Sequence, residues 1–244
     1  MRAIILAAGR GSRMGALTED APKCMVPLAG KPLLEWQIAA LRGAGVDAIG
    51  IVRGYKGEVF EGRGLSQFDN ARWADTNMVA SLACAAGWLR DEPAIVSYAD
   101  IFYSVETVRA LAASRRDVAI TYDPDWLTLW SQRSNDPLSD AETFALDGDR
   151  VIDIGRRATA VDEIRGQYMG LLRFTPAGWQ AVDAALAEMT PDRRDRLDMT
   201  GLLARLIERG VFVEGVPNVG PWGEVDNADD LELYERLIAT RQGS

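Results

Sequence analysis

Histidine is absent from the chain. Its absence excludes a Ser-His-Asp or Cys-His pair, a His-bearing zinc site and imidazole as acid or base. Chemistry near neutral pH is left to carboxylates, Lys or Arg, backbone dipoles, or a metal held by oxygen. Cysteine is scarce too. Cys24 and Cys84 do not make a disulfide framework, neither belongs to a C-x-x-C pair, and reducing cytoplasm is the expected setting. Long apolar runs are missing. None approaches the ~20 residues of a membrane span, so no membrane partner is expected. A charged leader with a cleavage site is missing as well, and no secretory signal is expected. Basic residues are in the minority: 27 Lys+Arg against 36 Asp+Glu leave a net charge of −9. That balance argues against a nucleic-acid partner, which calls for a basic footprint. It still permits a small phosphorylated ligand in a locally basic cleft.

What is present is an ordinary globular composition, 48% hydrophobic and 26% charged over 244 residues. RAIIL (2–6) is a short apolar run stopped by the glycines of AAGRGSRMG, which predicts a fully buried strand and then a loop. Pro32 opens a helical pattern that Gly43 and Gly45 end. Segments 47–52, 94–100 and 117–122 read as further strands, with helical spacing at 77–89 and 108–114. Strand alternating with helix predicts an α/β fold with a doubly wound, mostly parallel Rossmann-like sheet. Beyond residue 123 the pattern changes. Segments 142–155 and 166–174 read as strands joined by tight turns and predict a small inserted β lid. Helices near 176–189 and 199–209, a strand at 211–216 and a last helix at 228–240 follow. The expected organisation is one domain: a nucleotide-binding half (1–123), an acceptor-binding or lid half (124–227) and a closing helix (228–240).

Gly9-x-Gly11 after a strand has the start of a dinucleotide fingerprint, but Met14 stands where G-x-G-x-x-G needs glycine. The second strand ends on Arg53 rather than an acidic residue, and Gly30-Lys31 is followed by proline, not Ser or Thr. These departures count against an NAD(P)-binding oxidoreductase and against a Walker-type phosphate loop. The continuation is more specific. In LAAGRGSRMGALTEDAPKCMVPLAGKPLLEW, L-A-A-G-x-G-x-R-M is followed by P-K and then by G-K-P before a helix. The chain therefore resembles the sugar-phosphate and choline-phosphate nucleotidyltransferases. DTNMVASL (75–82), VSYADIFY (96–103), IRGQYMGLLRF (164–174) and PWGEVDNADDLELYE (221–235) extend the resemblance through most of the chain. They look like the branch that transfers CMP to phosphocholine, phosphonates or phosphorylated glutamine. Ala99-Asp100 and Trp222-Gly-Glu224-Val-Asp226 stand where sugar-1-phosphate relatives usually carry G-D and W-x-D-x-G.

The resemblance implies a nucleotide site at Leu6, Ala7, Ala8, Gly9, Gly11, Ser12, Arg13 and Lys23. Glycine lets the backbone approach a triphosphate, and loop amides donate to its oxygens. Arg13 and Lys23 add positive charge there and are the expected catalytic residues. Asp100 follows the run AIVSYA and so sits at the carboxyl end of a strand, where doubly wound sheets present ligand-binding groups. By the same resemblance Asp100 and Asp226 hold Mg²⁺, which takes one or two carboxylates plus phosphate oxygens and waters; Asp226 could instead cap the last helix. The expected cofactor is Mg²⁺, and the expected partners are CTP and a small phosphate or phosphonate acceptor. A homodimer is left open.

For the acceptor, the candidates are Asn77, Ser81, Trp130, Arg133, Tyr168 and Glu224, with Asp140 and Glu142 in LWSQRSNDPLSDAETF (129–144), a further stretch that carries the resemblance. Asn77 and Ser81 open a helix, where amides meet an anion or a side chain simply caps. Trp126, Trp130, Tyr168 and Trp222 could cage a cationic head group or fill the core. Leu202, Leu203, Leu206 and Ile207 recur at helical spacing and are expected in the core. A sugar-1-phosphate nucleotidyltransferase with another nucleotide is the nearest alternative, and a non-catalytic nucleotide sensor a further one. The missing histidine fits nucleotidyl transfer. A phosphate monoester's second pKa is about 6, so the acceptor is already an anion and needs cations rather than a base.

Overall fold

The computed structural model describes residues 1–139 and 141–242. Its centre is a nine-stranded sheet. β1 (Arg2–Ala7) lies between β2 (Ala48–Arg53) and β4 (Ala94–Tyr98), parallel to both, and β3 (Ser66–Asp69) forms the parallel edge beyond β2. After a two-residue bend, β5 (Ile101–Tyr103) leaves the sheet. On the other side of β4 comes β9 (Gln167–Phe174), antiparallel to both β4 and β6 (Val118–Asp123). Then β10 (Val213–Pro217) runs parallel to β6.

β1 shows why the sequence reads as a continuous apolar run. Ala3, Ile5 and Ala7 face one core, while Ile4 and Leu6 face the other, so every position after Arg2 is inside. Full burial of an Ile or Leu is worth about 1.5–3 kcal/mol, which favours an interior strand, here the third from one edge. On one face pack α1 (Leu33–Gly43), through Leu34, Ala40 and Leu41, and α4 (Val105–Ala112), through Val108 and Leu111. On the other pack α2 (Met78–Ala83), α3 (Ala86–Asp91), α6 (Pro176–Ala187) and α8 (Met199–Glu208). Helices on both faces make the sheet doubly wound, as expected.

Three expectations are modified. The helical spacing at 77–89 is two short helices, because the bonds at the junction tighten to three-residue turns (Cys84 to Ser81, Ala85 to Leu82). The inserted β portion is not a separate sheet. β7 (Glu142–Asp147) and β8 (Arg150–Arg157) form a hairpin that joins the far edge of the main sheet where Arg150 meets Glu214 of β10. The segment after β6 holds α5 (Trp126–Arg133), whose Trp126 and Trp130 are buried. Of the four apolar residues foreseen on α8, Leu202, Leu203 and Leu206 are buried, and Ile207 packs half-buried against them.

Two smaller features serve the site. β11 (Trp222–Glu224) pairs antiparallel with β5 as a ribbon, and α9 (Ala228–Gln242) follows it. Between α6 and α8, the short α7 (Pro191–Asp195) ties the start of α2 in place, the Asn77 N–H donating to the Asp195 carbonyl. Among the described residues no helix is long and apolar enough to cross a membrane.

Candidate active site

The glycine loop leaves β1 and folds back on itself. Thr18 is fully buried, and its hydroxyl donates to the Gly11 carbonyl at 3.0 Å. Gly11 has φ +70°, and a Cβ there would stand 2.8 Å from the Lys23 Cβ. Glycine is thus required twice, for backbone conformation and for the approach of Lys23. Lys23 itself is 7% exposed.

Its ammonium lies between two carboxylates. Lys23 Nζ donates to Asp100 Oδ2 at 2.9 Å and to Asp226 Oδ1 at 2.5 Å. The β5–β11 ribbon brings these distant residues together. Glu224 pairs with Ile101, and the Val225 N–H donates to the Asp100 carbonyl at 2.9 Å. One carboxylate oxygen each from Asp100, Glu224 and Asp226 lie within 4.8 Å of one another. Asp226 is not the helix cap, since the Asn227 side chain accepts from the Asp230 N–H in that role.

Charge and burial compete here. Burial lowers the Lys23 ammonium, but Asp100 and Asp226 outweigh it and hold its pKa above the ordinary lysine value. For Glu224, burial and then the neighbouring Asp100 and Asp226 push the pKa up to about 8, against Arg133 and Lys23. Such a crowd of acids wants a cation. Asp100 Oδ1 is buried with no hydrogen-bond partner among the described residues. Three convergent carboxylates, with an unpartnered oxygen on Asp100, fit a hard divalent cation such as Mg²⁺.

Behind the cluster lies Arg133, its side chain 5% exposed. It grips Asp230 bidentately at 2.9 and 3.1 Å, with Glu224 at 3.7 Å and Asp226 at 3.9 Å. Asp230 Oδ2 in turn accepts from the Asp226 N–H at 2.8 Å. Asp230 therefore fixes both Arg133 and the Asp226 backbone. The Arg133 guanidinium also lies 4.5 Å from the Trp130 ring centroid.

Two cavities meet at the carboxylates. The first, about 200 Å³, brings together Leu6, Ala7, Ala8, Gly9, Gly11 and Lys23, the residues named for a nucleotide, with Asp100, named for a metal. Ser12 is exposed and is not among the lining residues, and the Arg13 side chain lies outside what is described. Trp73, Thr76 and Met78 also line this cavity and were not foreseen. Trp73 packs on Gly54, where a Cβ would stand 2.5 Å from the Trp73 Cβ, and edge-on against Tyr55 at 5.4 Å. The second cavity, about 230 Å³, holds Tyr168 and Glu224 together with Glu142, Gln167, Asp198, Thr200 and Asp226. Tyr98 borders both.

The acceptor candidates thus divide. Tyr168 and Glu224 share the second cavity. Asn77 and Ser81 line the first, beside the glycine loop, and the Ser81 hydroxyl accepts from Asn70 at 2.9 Å. Trp130 is 1% exposed and stacked on Trp222 at 5.9 Å, so its ring faces core rather than ligand. Arg133 is engaged behind the carboxylates. Trp130 and Arg133 thus stand apart from the second cavity and line another with Asp226 and Asp230. Asp140 lies outside the described residues.

Residues 3–156 match the model of the MobA-like NTP transferase domain. The CTP:phosphoglutamine cytidylyltransferase of Campylobacter jejuni is 36% identical over 96% of this chain and 98% of its own. A glucose-1-phosphate thymidylyltransferase of Streptomyces griseus is 26% identical over 98% of this chain and 66% of its own. Among solved structures, the inositol-1-phosphate CTP transferase of T. maritima superposes with a TM-score of 0.76 at 20% identity, over 99% of this chain and 96% of its own.

Proposed function

The chain belongs to the MobA-like NTP transferase family and is a nucleotidyltransferase, and from that premise we propose that it is a Mg²⁺-dependent cytidylyltransferase, moving CMP from CTP to a small phosphate or phosphonate. The observation that carries the reading is the placement of Lys23, Asp100, Glu224 and Asp226 at the boundary of two cavities, one of them walled by the glycine loop. The choice of cytidine is supported by the name of the Campylobacter jejuni relative.

In this reading CTP lies along the first cavity with its triphosphate over Gly9 and Gly11. The acceptor lies in the second with its phosphate toward Asp226. An acceptor oxygen attacks the α-phosphorus, the new O–P bond forms, and the bond from the α-phosphorus to the bridging oxygen breaks, that oxygen keeping the electron pair as pyrophosphate leaves. The main obstacle is repulsion: two unit charges about 4 Å apart cost roughly 4 kcal/mol at an effective dielectric near 20. Asp100 and Asp226, with Glu224 beside them, would hold Mg²⁺, which when bound neutralises charge on the triphosphate. Lys23 supplies a fixed positive charge at the same place. Positioning and electrostatics of this kind dominate transfer at phosphorus. No residue must remove a proton, since the acceptor is already an anion near neutral pH.

The test is pyrophosphate release with each of four nucleoside triphosphates against phosphocholine, aminoethylphosphonate, phosphorylated amino acids and sugar phosphates. Release with CTP and a non-sugar acceptor is expected. No release with CTP and any acceptor would sink the proposal. Release confined to sugar-1-phosphates would favour the activity named for the Streptomyces griseus relative.

A further inference from the structure

The end of the sheet away from the carboxylates carries a row of paired side chains. Arg150 of β8 pairs with Glu214 of β10, Glu214 with Ala119 of β6, and Ala119 with Arg173 of β9. Side chains paired in register share a face of the sheet, so Arg150 and Arg173 flank Glu214 and the small Ala119. The row crosses the beginning of β6, whereas Asp100 lies just beyond the end of the parallel β4. Arg116 joins it from the turn before β6. Its carbonyl accepts from Arg173 Nη1 at 2.9 Å. The Arg116 guanidinium lies 4.1 Å from the Phe212 ring centroid, and that of Arg150 lies 5.6 Å from the same ring.

These three arginines are short of partners. Arg173 is 7% exposed, and its Nε is buried without a hydrogen-bond partner among the described residues, as is the Nε of Arg150. The neighbouring carboxylates are engaged elsewhere or stand off. The Ser114 hydroxyl donates to Glu214, and the Thr175 hydroxyl donates to Asp117 at 2.6 Å. Asp147 is opposite Arg150 in the β7–β8 hairpin. Among the described residues no ion pair joins any carboxylate to Arg116, Arg150 or Arg173. Burial lowers the Arg173 pKa below the ordinary arginine value, against Asp117 and Glu214, yet a guanidinium stays charged at neutral pH. Arg133 differs, since it grips Asp230 with two bonds.

An unmade hydrogen bond on a buried charged donor is costly, and a negatively charged acceptor satisfies it best. A carboxylate offers one planar edge, which a single guanidinium fork fills. A tetrahedral oxyanion offers oxygens in several directions and so matches forks that approach from three elements. We propose that Arg116, Arg150 and Arg173 bind a phosphate group, at a site separate from the cavities at the carboxylates.

The experiment titrates inorganic phosphate and methyl phosphate into the full chain by calorimetry at fixed ionic strength, with and without a saturating, non-reactive CTP analogue and Mg²⁺. Saturable binding that survives the analogue is expected, and the tighter of the two ligands distinguishes a free anion from the phosphate of an ester. Arg116→Gln alters an exposed side chain and keeps the carbonyl that accepts from Arg173, so this variant should fold. It is expected to bind phosphate at least about tenfold more weakly while binding the CTP analogue as the parent does. Arg150→Gln should behave alike. No saturable phosphate binding at millimolar concentration, binding that the analogue abolishes, or full affinity in both variants would overturn the inference and leave cytidylyl transfer standing.

Discussion

The Lys23 ammonium donates to the Asp226 carboxylate at 2.5 Å although 203 residues separate them in the chain. A lysine that follows the glycine loop thereby occupies the point where Asp100, Glu224 and Asp226 converge. It has two consequences. Without bound metal, Lys23 is the cation closest to holding the carboxylates together. In the proposed transfer, the same charge would face the triphosphate.

Replacement of Lys23 by Met is therefore expected to destabilise the metal-free protein by about 3–5 kcal/mol, the usual cost of removing one partner of a buried pair. Mg²⁺ should then raise the melting temperature of the variant more than that of the parent, because the carboxylates have lost their internal cation. Thermal unfolding with EDTA and with Mg²⁺ measures both effects. Equal Mg²⁺-induced shifts would contradict this role.

Arg133 holds Asp230, and Asp230 holds the Asp226 backbone. Arg133→Lys keeps the charge and loses the two-pronged grip, which Lys cannot reproduce. The variant should fold, with kcat lowered about tenfold or more and a higher Mg²⁺ concentration needed for half-maximal rate. Arg133→Leu, which strands Asp230 at 2% exposure, should cost about 3 kcal/mol or more by urea unfolding. Unchanged Mg²⁺ dependence in the lysine variant would show that Arg133 does not position the carboxylates.

Gly54→Ala would place a Cβ 2.5 Å from the Trp73 Cβ and 2.7 Å from the Ala8 carbonyl oxygen. Overpacking of this kind costs about 1–3 kcal/mol, and here the strain falls on a wall of the first cavity. A raised KM for the nucleotide with a smaller change in kcat is the expected steady-state result. A KM equal to the parent's would remove Trp73 from the nucleotide site.

The two cysteines should differ in reactivity. Cys24 is fully buried, and burial pushes its thiol up to about 12, so almost no thiolate exists at pH 8. Cys84 is exposed, with a more modest rise caused first by partial burial and then by Asp69. A thiol reagent should therefore modify one site per folded chain and two in denaturant. The rate at Cys84 should climb with pH as its thiolate forms. Two modified thiols in the folded chain would place Cys24 outside the core.

Much of this architecture was legible in the sequence for a local reason. β1, the glycine loop and Lys23 are contiguous, and the apolar run before Asp100 announces a strand end. The remaining parts depend on long-range pairing. Arg133 meets Asp230 across 97 residues, a contact no periodicity encodes, and Trp130 turns to the core because Arg133 and Trp222 cover it. Asn77 and Ser81 were expected at the acceptor, but Asn77 lies at the start of α2 and Ser81 within it, beside the glycine loop. Gln167 and Asp198 gave no signal, since their cavity is assembled from β4, β7, β9, β11 and α8 and from a slip in strand pairing.

The central claim is that CMP is transferred intact to an acceptor at the Lys23, Asp100 and Asp226 cluster. It is tested most directly by following CTP radiolabelled at the α-phosphorus, with Mg²⁺ and each small phosphate or phosphonate acceptor in turn. The account predicts that the label moves into a CDP-linked product while unlabelled pyrophosphate is released, and that Asp226→Asn lowers this rate at least about a hundredfold in a folded protein. Label appearing as free CMP, label remaining in CTP with every acceptor, or full transfer by the Asp226 variant would contradict it.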